Sequence, residues 1–206
     1  MSLERVHMDD YVLIITTDAA LDEWCAALNN QDSVAMDTEG DSLHCYFEKL
    51  CLIQIPLGAE NVLIDPLEPL DFSKFNTLLS KRRVILHGCD YDLRMLRRGI
   101  KFTPGEVFDT YLAARLVGMK EVGLASLVKE FFGIDLPKSS QKANWAKRPL
   151  TQAMIEYAIR DSAAEAVQAG VTPLGGDRDA LWAIAWRARS AAWMVRHRAL
   201  LESALT

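Results

Sequence analysis

The chain has 206 residues, half of them hydrophobic and a quarter charged, which is the composition of a folded domain with a sizeable core. A net charge of −5 argues against a protein that holds long nucleic acid by electrostatics alone, but it allows an enzyme that binds a few nucleotides through metal ions. The apolar runs fall short of the roughly 18 residues of a membrane span, and the polar start lacks a signal peptide, so we expect a cytoplasmic protein without membrane contact.

The first two thirds of the chain alternate between strand-like and helix-like segments. YVLIIT predicts a strand, followed by a helix that Thr17 or Asp18 can cap. That helix has an apolar face of Leu21, Trp24 and Leu28. The pattern then predicts the strands SVAMDTE, LCLIQIP, NVLIDP and RVILHG, and the helices SKFNTLLS and DLRMLRRG, the last closed by Gly99.

From about residue 108 the pattern is almost entirely helical, which predicts an α/β sheet covered by helices, with a mostly helical C-terminal third. The helix breaker TPLGGDRD indicates that residues 1–171 form one domain and that residues 172–206 form a last helix packed on it. The stripe of Trp182, Trp186 and Trp193 in that helix favours packing, on the domain or on a second subunit, over a nucleic-acid surface. The oligomeric state stays open.

Two acids follow an otherwise apolar strand. Asp37 and Glu39 are two residues apart, so their side chains share one face of the strand, where two negative charges repel unless a cation lies between them. Asp92 stands near the start of the helix after RVILHG, where it is either a helix cap or a third ligand. In FDTYLAARL, Asp109 has the position of an N-cap.

The helix TQAMIEYAIRD carries a fourth acid. Tyr157 and Asp161 are four residues apart and therefore lie on one helical face, which is otherwise apolar. A buried carboxylate without a partner is costly, so Asp161 needs a counter-charge from outside its helix. Four acids without a histidine cluster indicate oxygen-only coordination of hard cations such as Mg²⁺ or Mn²⁺. Four cysteines without zinc-ligand spacing are expected to be buried thiols: Cys25, Cys45, Cys51 and Cys89.

With these acids identified, the chain resembles the DEDD 3′-5′ exonucleases, in the tyrosine subclass, and is most similar to the exonuclease domain of ribonuclease D. The matching segments are MDTEGDSL with LCLIQI, then ILHGCDYDLRML, FDTYLAARL, KSSQKANWAKRPL and EYAIRD. They occur in the order and at the spacing of that family. The resemblance covers residues 12–161, and we expect no separate helical nucleic-acid-binding domain.

The resemblance implies a ribonuclease H-like mixed sheet flanked by helices, and a metal-dependent enzyme. Asp37, Glu39, Asp92 and Asp161 would hold two divalent cations, Mg²⁺ or Mn²⁺. Tyr157 would orient the attacking water. The reaction would remove nucleoside 5′-monophosphates from the 3′ end of single-stranded RNA, in RNA processing or decay.

Seven further residues are candidates for substrate contact. Leu43 and His44 follow the first motif, where the resemblance implies a wall against the terminal bases, although loop packing is an alternative. Gln54 and His87 are equally open to a purely structural role. Three cations in the tract before the tyrosine helix can contact phosphates or be solvated: Lys138, Lys142 and Arg148.

Two other functions remain open. A DNA exonuclease of the repair or proofreading type would have the same catalytic residues, because contacts to the 2′-hydroxyl are not visible in motifs. A catalytically silent nucleic-acid-binding module would keep the fold and lose at least one of the five site residues, all of which are present.

Overall fold

A computed structural model of the chain describes residues 3–7, 10–28, 31–57, 60–133, 135–136 and 142–159. The predicted C-terminal helix of residues 172–206 and the domain boundary at residue 171 lie outside these residues. In the described part, no helix has the length and apolarity needed to cross a membrane.

Eight strands and six helices make up the described chain. The strands are β1 Leu3–His7, β2 Asp10–Ile15, β3 Ser33–Ala35, β4 Asp37–Gly40, β5 Leu50–Leu57, β6 Glu60–Ile64, β7 Arg83–Leu86 and β8 Glu106–Asp109. The helices are α1 Asp18–Ala27, α2 Ser73–Leu79, α3 Asp90–Ile100, α4 Thr110–Leu116, α5 Leu124–Phe132 and α6, residues 152–159.

The strands form two sheets that meet at one strand segment. Five strands pair in the order β1-β2-β6-β5-β4, and three pair in the order β3-β7-β8. β3 lies parallel to β7, whereas β4 lies antiparallel to β5. Between β3 and β4, the Met36 amide donates to the Ile85 carbonyl at 3.0 Å, which continues the pairing with β7. The predicted strand SVAMDTE is therefore divided between the two sheets. β4 begins at Asp37, where the chain stops pairing with β7 and starts pairing with β5.

The central strands are covered on both faces. A large buried cluster joins α1, α2 and α3 to one side of the sheet, around residues such as Trp24, Ile53 and Phe75. A second cluster joins α6 to the other side, through Leu52, Trp145 and Tyr157 among others. This is the mixed α/β fold, a sheet flanked by helices, that the sequence predicts.

The structure corrects three details of the prediction. β1 and β8 were not expected, because β1 has no clear alternation and EVFD becomes a strand only by pairing with β7. Gly99 does not close α3; it lies inside the helix, which ends at Ile100 and is followed by Lys101 in the left-handed conformation (φ 59°). Of the four cysteines expected to be buried, Cys45 is exposed and Cys89 is only half-buried.

Candidate active site

Asp37 and Glu39 lie on β4, the edge strand of the five-stranded sheet. In the pairing with β5, Asp37 is opposite Gln54 and Glu39 is opposite Leu52. Directly opposed residues share a face of the sheet, so both carboxylates are on the side of Leu52, which packs in the same cluster as α6. The strand therefore presents both acids to the face on which the tyrosine helix lies.

Asp92 is in the first turn of α3 and is buried, with 7% of its surface exposed. Its Oδ1 accepts a hydrogen bond of 2.5 Å from Oγ1 of Thr38, the residue between the two acids of β4. Burial raises the pKa of Asp92 to about 6, while the bond from Thr38 acts in the opposite direction. The N-cap position of α3 is Cys89, and Asp92 lies in the first turn, where hydrogen bonds from the backbone of Asp92 and Thr38 also act to lower its pKa.

Tyr157 lies on α6 and is 8% exposed, with its ring centroid 6.0 Å from that of Trp145. Met154 and Ala158 are buried beside it, as the helical spacing predicts. Asp161 lies outside the described residues. Within the described part of the chain, no three His, Cys, Asp or Glu side chains are arranged to hold a metal ion, so the convergence of the four carboxylates stays a prediction.

The donors around β4 nevertheless suit a hard divalent cation. Gln54, opposite Asp37, is fully buried, and neither its amide nitrogen nor its amide oxygen has a hydrogen-bond partner in the described chain. A buried amide without a hydrogen-bond partner is costly, so we expect a polar group to contact the side chain of Gln54 near Asp37. Carboxylate oxygens from Asp37, Glu39 and Asp92 are the ligand type that Mg²⁺ and Mn²⁺ prefer, and Asp161 is the predicted fourth ligand.

Arg148 has a different environment from the one expected. Its Nε and Nη2 contact the two carboxylate oxygens of Asp65 at 2.5 and 2.7 Å. Nη2 also donates to the Cys51 carbonyl, and Nη1 donates to the carbonyls of Trp145 and Lys147, at 2.7 to 3.0 Å. These contacts direct the guanidinium inward and join the segment before α6 to β5. The geometry corrects the expectation of a phosphate contact: in this structure Arg148 holds the segment in place.

The remaining candidates divide into two groups. His44 and Lys142 are brought together, because His44 Nε2 lies 3.3 Å from the Lys142 carbonyl oxygen, and Leu43 beside them is 67% exposed. His87 instead pairs through Nδ1 with Thr110 Oγ1 at 2.9 Å, and burial lowers its pKa. The contact with Thr110 is consistent with the purely structural role that was one of the two interpretations of His87. Lys138 lies outside the described residues.

Two residues position the site in ways that the sequence did not predict. Thr38 had no predicted role, and Asp109 was predicted only as a helix cap. Thr38 holds Asp92, a pairing over 54 positions for which the sequence has no local signal. Asp109 is the N-cap of α4, as predicted, accepting from the amides of Tyr111 and Leu112, but it also accepts from those of Gly88 and Cys89. It thereby fixes the turn between β7 and α3, immediately before Asp92.

Comparisons with known proteins identify the family and the fold of the chain. The profile of the 3′-5′ exonuclease family matches residues 12–165. Ribonuclease D of Haemophilus influenzae is 37% identical over 151 residues, which cover 72% of this chain and 38% of the relative. Ribonuclease D of Pseudomonas paraeruginosa is 38% identical over 150 residues, covering 71% of this chain and 40% of the relative. The chain thus spans about 40% of the length of these relatives.

Solved structures show the same fold. The crystal structure of Escherichia coli RNase D, described as an exoribonuclease involved in structured RNA processing, superposes with a TM-score of 0.76 at 29% identity, covering 94% of this chain and 49% of that one. The Nibbler EXO domain of Aedes aegypti superposes with a TM-score of 0.66 at 20% identity, covering 89% of this chain and 99% of that domain. The second likeness concerns the fold alone.

Proposed function

The chain belongs to the 3′-5′ exonuclease family, and from this premise we propose that it is a metal-dependent exoribonuclease that shortens single-stranded RNA from the 3′ end. The observation that carries the proposal is the pairing of β4 with β5, which puts the carboxylates of Asp37 and Glu39 on the face of the sheet that α6 and Tyr157 cover. The similarity to ribonuclease D over most of the chain supports RNA as the substrate.

The proposed roles follow from the chemistry of the side chains. Asp37, Glu39, Asp92 and Asp161 would bind two divalent cations, Mg²⁺ or Mn²⁺. Bound there, such ions lower the pKa of water and stabilise negative charge on phosphate oxygens. Tyr157 would hold the attacking water by its hydroxyl group. Water adds to the terminal phosphorus, the bond to the 3′-oxygen of the preceding nucleotide breaks, and a nucleoside 5′-monophosphate leaves.

The test is a time course on matched 5′-labelled single-stranded RNA and DNA oligonucleotides, with Mg²⁺, Mn²⁺ or EDTA. We expect a metal-dependent ladder that shortens from the 3′ end, faster on RNA, and that is lost in Asp37→Ala. The matched control is Asp22→Ala, which removes a carboxylate of α1 that pairs with Lys74 at the surface. A ladder faster on DNA would assign the protein to DNA, and no cleavage by folded protein would indicate a silent binding module.

A further inference from the structure

The outer face of α3 carries a row of positive charge. Arg94, Arg97 and Arg98 occupy positions i, i+3 and i+4 of α3 and share one face of the helix, and Lys101 follows as its C-cap, so the four cations extend over roughly 10 Å. Together with Thr103 they line an open cleft of about 510 Å³ that has no acidic residue in its lining. We call these five residues the α3 cleft. In a chain with a net charge of −5, this is a local reversal of charge.

Nearby acids neutralise only part of the α3 cleft. Arg94 pairs with Asp90 at 3.1 Å, and Arg98 pairs with Glu48 at 2.8 Å, both at the surface. Arg97 and Lys101 form no ion pair with any described residue. The C-terminal end of a helix favours cations, which explains why the side chains there are positively charged. It does not account for a cleft lined by four of them, where like charges repel unless an anion binds.

The α3 cleft is linked to the candidate active site by one helix and one loop. Asp92 lies at the other end of the same helix, and the pair between Arg98 and Glu48 joins α3 to the loop of residues 41–49, which follows Glu39 along the chain. That loop exposes Tyr46 by 95% and Phe47 by 81%, with their ring centroids 4.9 Å apart. Cations beside exposed aromatic rings are the combination with which proteins bind single strands, by phosphate contact and base stacking.

We propose that the α3 cleft binds the phosphate backbone of the single-stranded nucleic acid, upstream of the 3′ end held near Asp37, and that Tyr46 and Phe47 stack against its bases. This inference rests on the proposed function, because it assigns a second contact to the same substrate. A row of charges roughly 10 Å long matches a linear polyanion better than a single phosphate group.

The test measures binding separately from cleavage. The affinity for a fluorescent 12-nucleotide RNA is measured by anisotropy in EDTA, for wild type and Arg97→Ala/Lys101→Ala, over a series of salt concentrations. We expect about tenfold weaker binding, and a slope of log affinity against log salt that is smaller by about 1.4, because each phosphate contact to a single strand contributes about 0.7. Tyr46→Ala/Phe47→Ala should weaken binding with little change in that slope.

The control is Lys81→Ala/Lys120→Ala, which removes two exposed cations that do not line the α3 cleft. It should bind as wild type does, although its net charge equals that of the first variant. All four altered side chains are exposed, so circular dichroism should show wild-type folding in both proteins.

The outcomes separate this inference from the proposed function. If wild type fails to shorten RNA yet the Arg97/Lys101 variant alone loses affinity, the exonuclease proposal fails and the cleft is still a nucleic-acid site. Cleavage of a trinucleotide should be unchanged in this variant, since the α3 cleft contacts only longer strands. Three results would overturn the inference. The Arg97/Lys101 variant and the control could bind RNA with equal affinity, or wild type could show no measurable binding to RNA. The third result is a variant that loses affinity only for phosphatidylserine vesicles and not for RNA.

Discussion

At the scale of single residues, the Tyr157 hydroxyl group can be tested without disturbing the core. The ring packs beside Trp145 in the cluster that joins α6 to the sheet, and Tyr157→Phe keeps that ring. We expect the rate of 3′-end shortening to fall about 10²-fold, because a positioned proton-transfer or water-orienting group contributes 10²–10⁴-fold. Tyr111→Phe on α4 is the control and should keep the wild-type rate. A Tyr157→Phe rate within twofold of wild type would remove this residue from the mechanism.

Asp109 gives a prediction about pH. Burial acts to raise the pKa of its carboxyl, but hydrogen bonds from the amides of Gly88, Cys89 and Leu112 hold that pKa below the ordinary value. A carboxyl whose pKa is lower folded than unfolded stabilises the protein above the unfolded value of about 3.9, and that stabilisation is lost as the pH falls through the folded pKa.

We therefore compare urea unfolding of wild type and Asp109→Asn from pH 7 downwards, in EDTA. The asparagine keeps an N-cap acceptor but carries no charge. The difference in unfolding free energy should be constant above roughly pH 5 and should shrink below roughly pH 4. A difference that is independent of pH would show that the negative charge of Asp109 does not contribute to folding.

The sequence predicts those site residues that local spacing identifies, but not contacts between residues that are far apart in the chain. Two acids at strand spacing gave Asp37 and Glu39, and the position before a helix gave Asp109 as a cap, which the structure confirms. Arg148 was interpreted from a basic loop, yet its partner Asp65 is 83 positions away. No local pattern distinguishes an arginine that binds phosphate from one that forms a buried ion pair with a distant strand end.

At the scale of elements, Gly99 determines how closely α3 approaches the sheet. A Cβ atom at this position would lie 2.8 Å from Cβ of Leu50, at the start of β5. In an exposed helix Gly→Ala would stabilise by about 1 kcal/mol, but here the close contact should reverse the sign. We expect Gly99→Ala to lower the free energy of unfolding by about 2 kcal/mol in urea titrations. Arg97→Ala on the exposed face of α3 should change it by less than about 0.5 kcal/mol.

The pair of Arg148 and Asp65 should stabilise the attachment of the segment before α6. The side chains are 27% and 6% exposed, so removal of one charge leaves the other partly buried. Arg148→Ala should cost about 3 kcal/mol of unfolding free energy. The control is Arg83→Ala, which breaks a pair with Glu106 whose side chains are 49% and 58% exposed, and should cost less than about 1 kcal/mol. Equal costs would mean that burial does not strengthen the first pair.

Local pattern also explains which elements were predicted correctly. α1 combines a cap at Thr17 with buried Leu21, Trp24 and Leu28, so cap and periodicity agree. β8 has four residues, and none of them is fully buried. It exists because its backbone pairs with β7, and such pairing has no local sequence signal. The same reason explains why SVAMDTE was expected to be one strand: the change of partner at Met36 depends on two other strands.

At the scale of the whole molecule, the segment from β3 to β4 connects the two sheets, and the candidate metal ligands stand at this junction. β3 pairs with β7, β4 pairs with β5, and α3 follows β7 and returns Asp92 to Thr38. A cation bound to Asp37, Glu39 and Asp92 would therefore link a strand edge to a helix from the other sheet. Binding at such a junction should stabilise the folded state as a whole.

This gives a prediction that does not depend on catalysis. A ligand that binds only the folded state at 100 times its dissociation constant adds about 2.7 kcal/mol of stability. For a chain of this size, 1 kcal/mol shifts the melting temperature by about 2–4 °C, so saturating Mn²⁺ should raise it by roughly 5–11 °C relative to EDTA. The shift should disappear in Asp37→Ala and persist in Asp90→Ala, whose carboxylate pairs with Arg94 at the surface. An equal shift in both variants would indicate that the ion binds elsewhere.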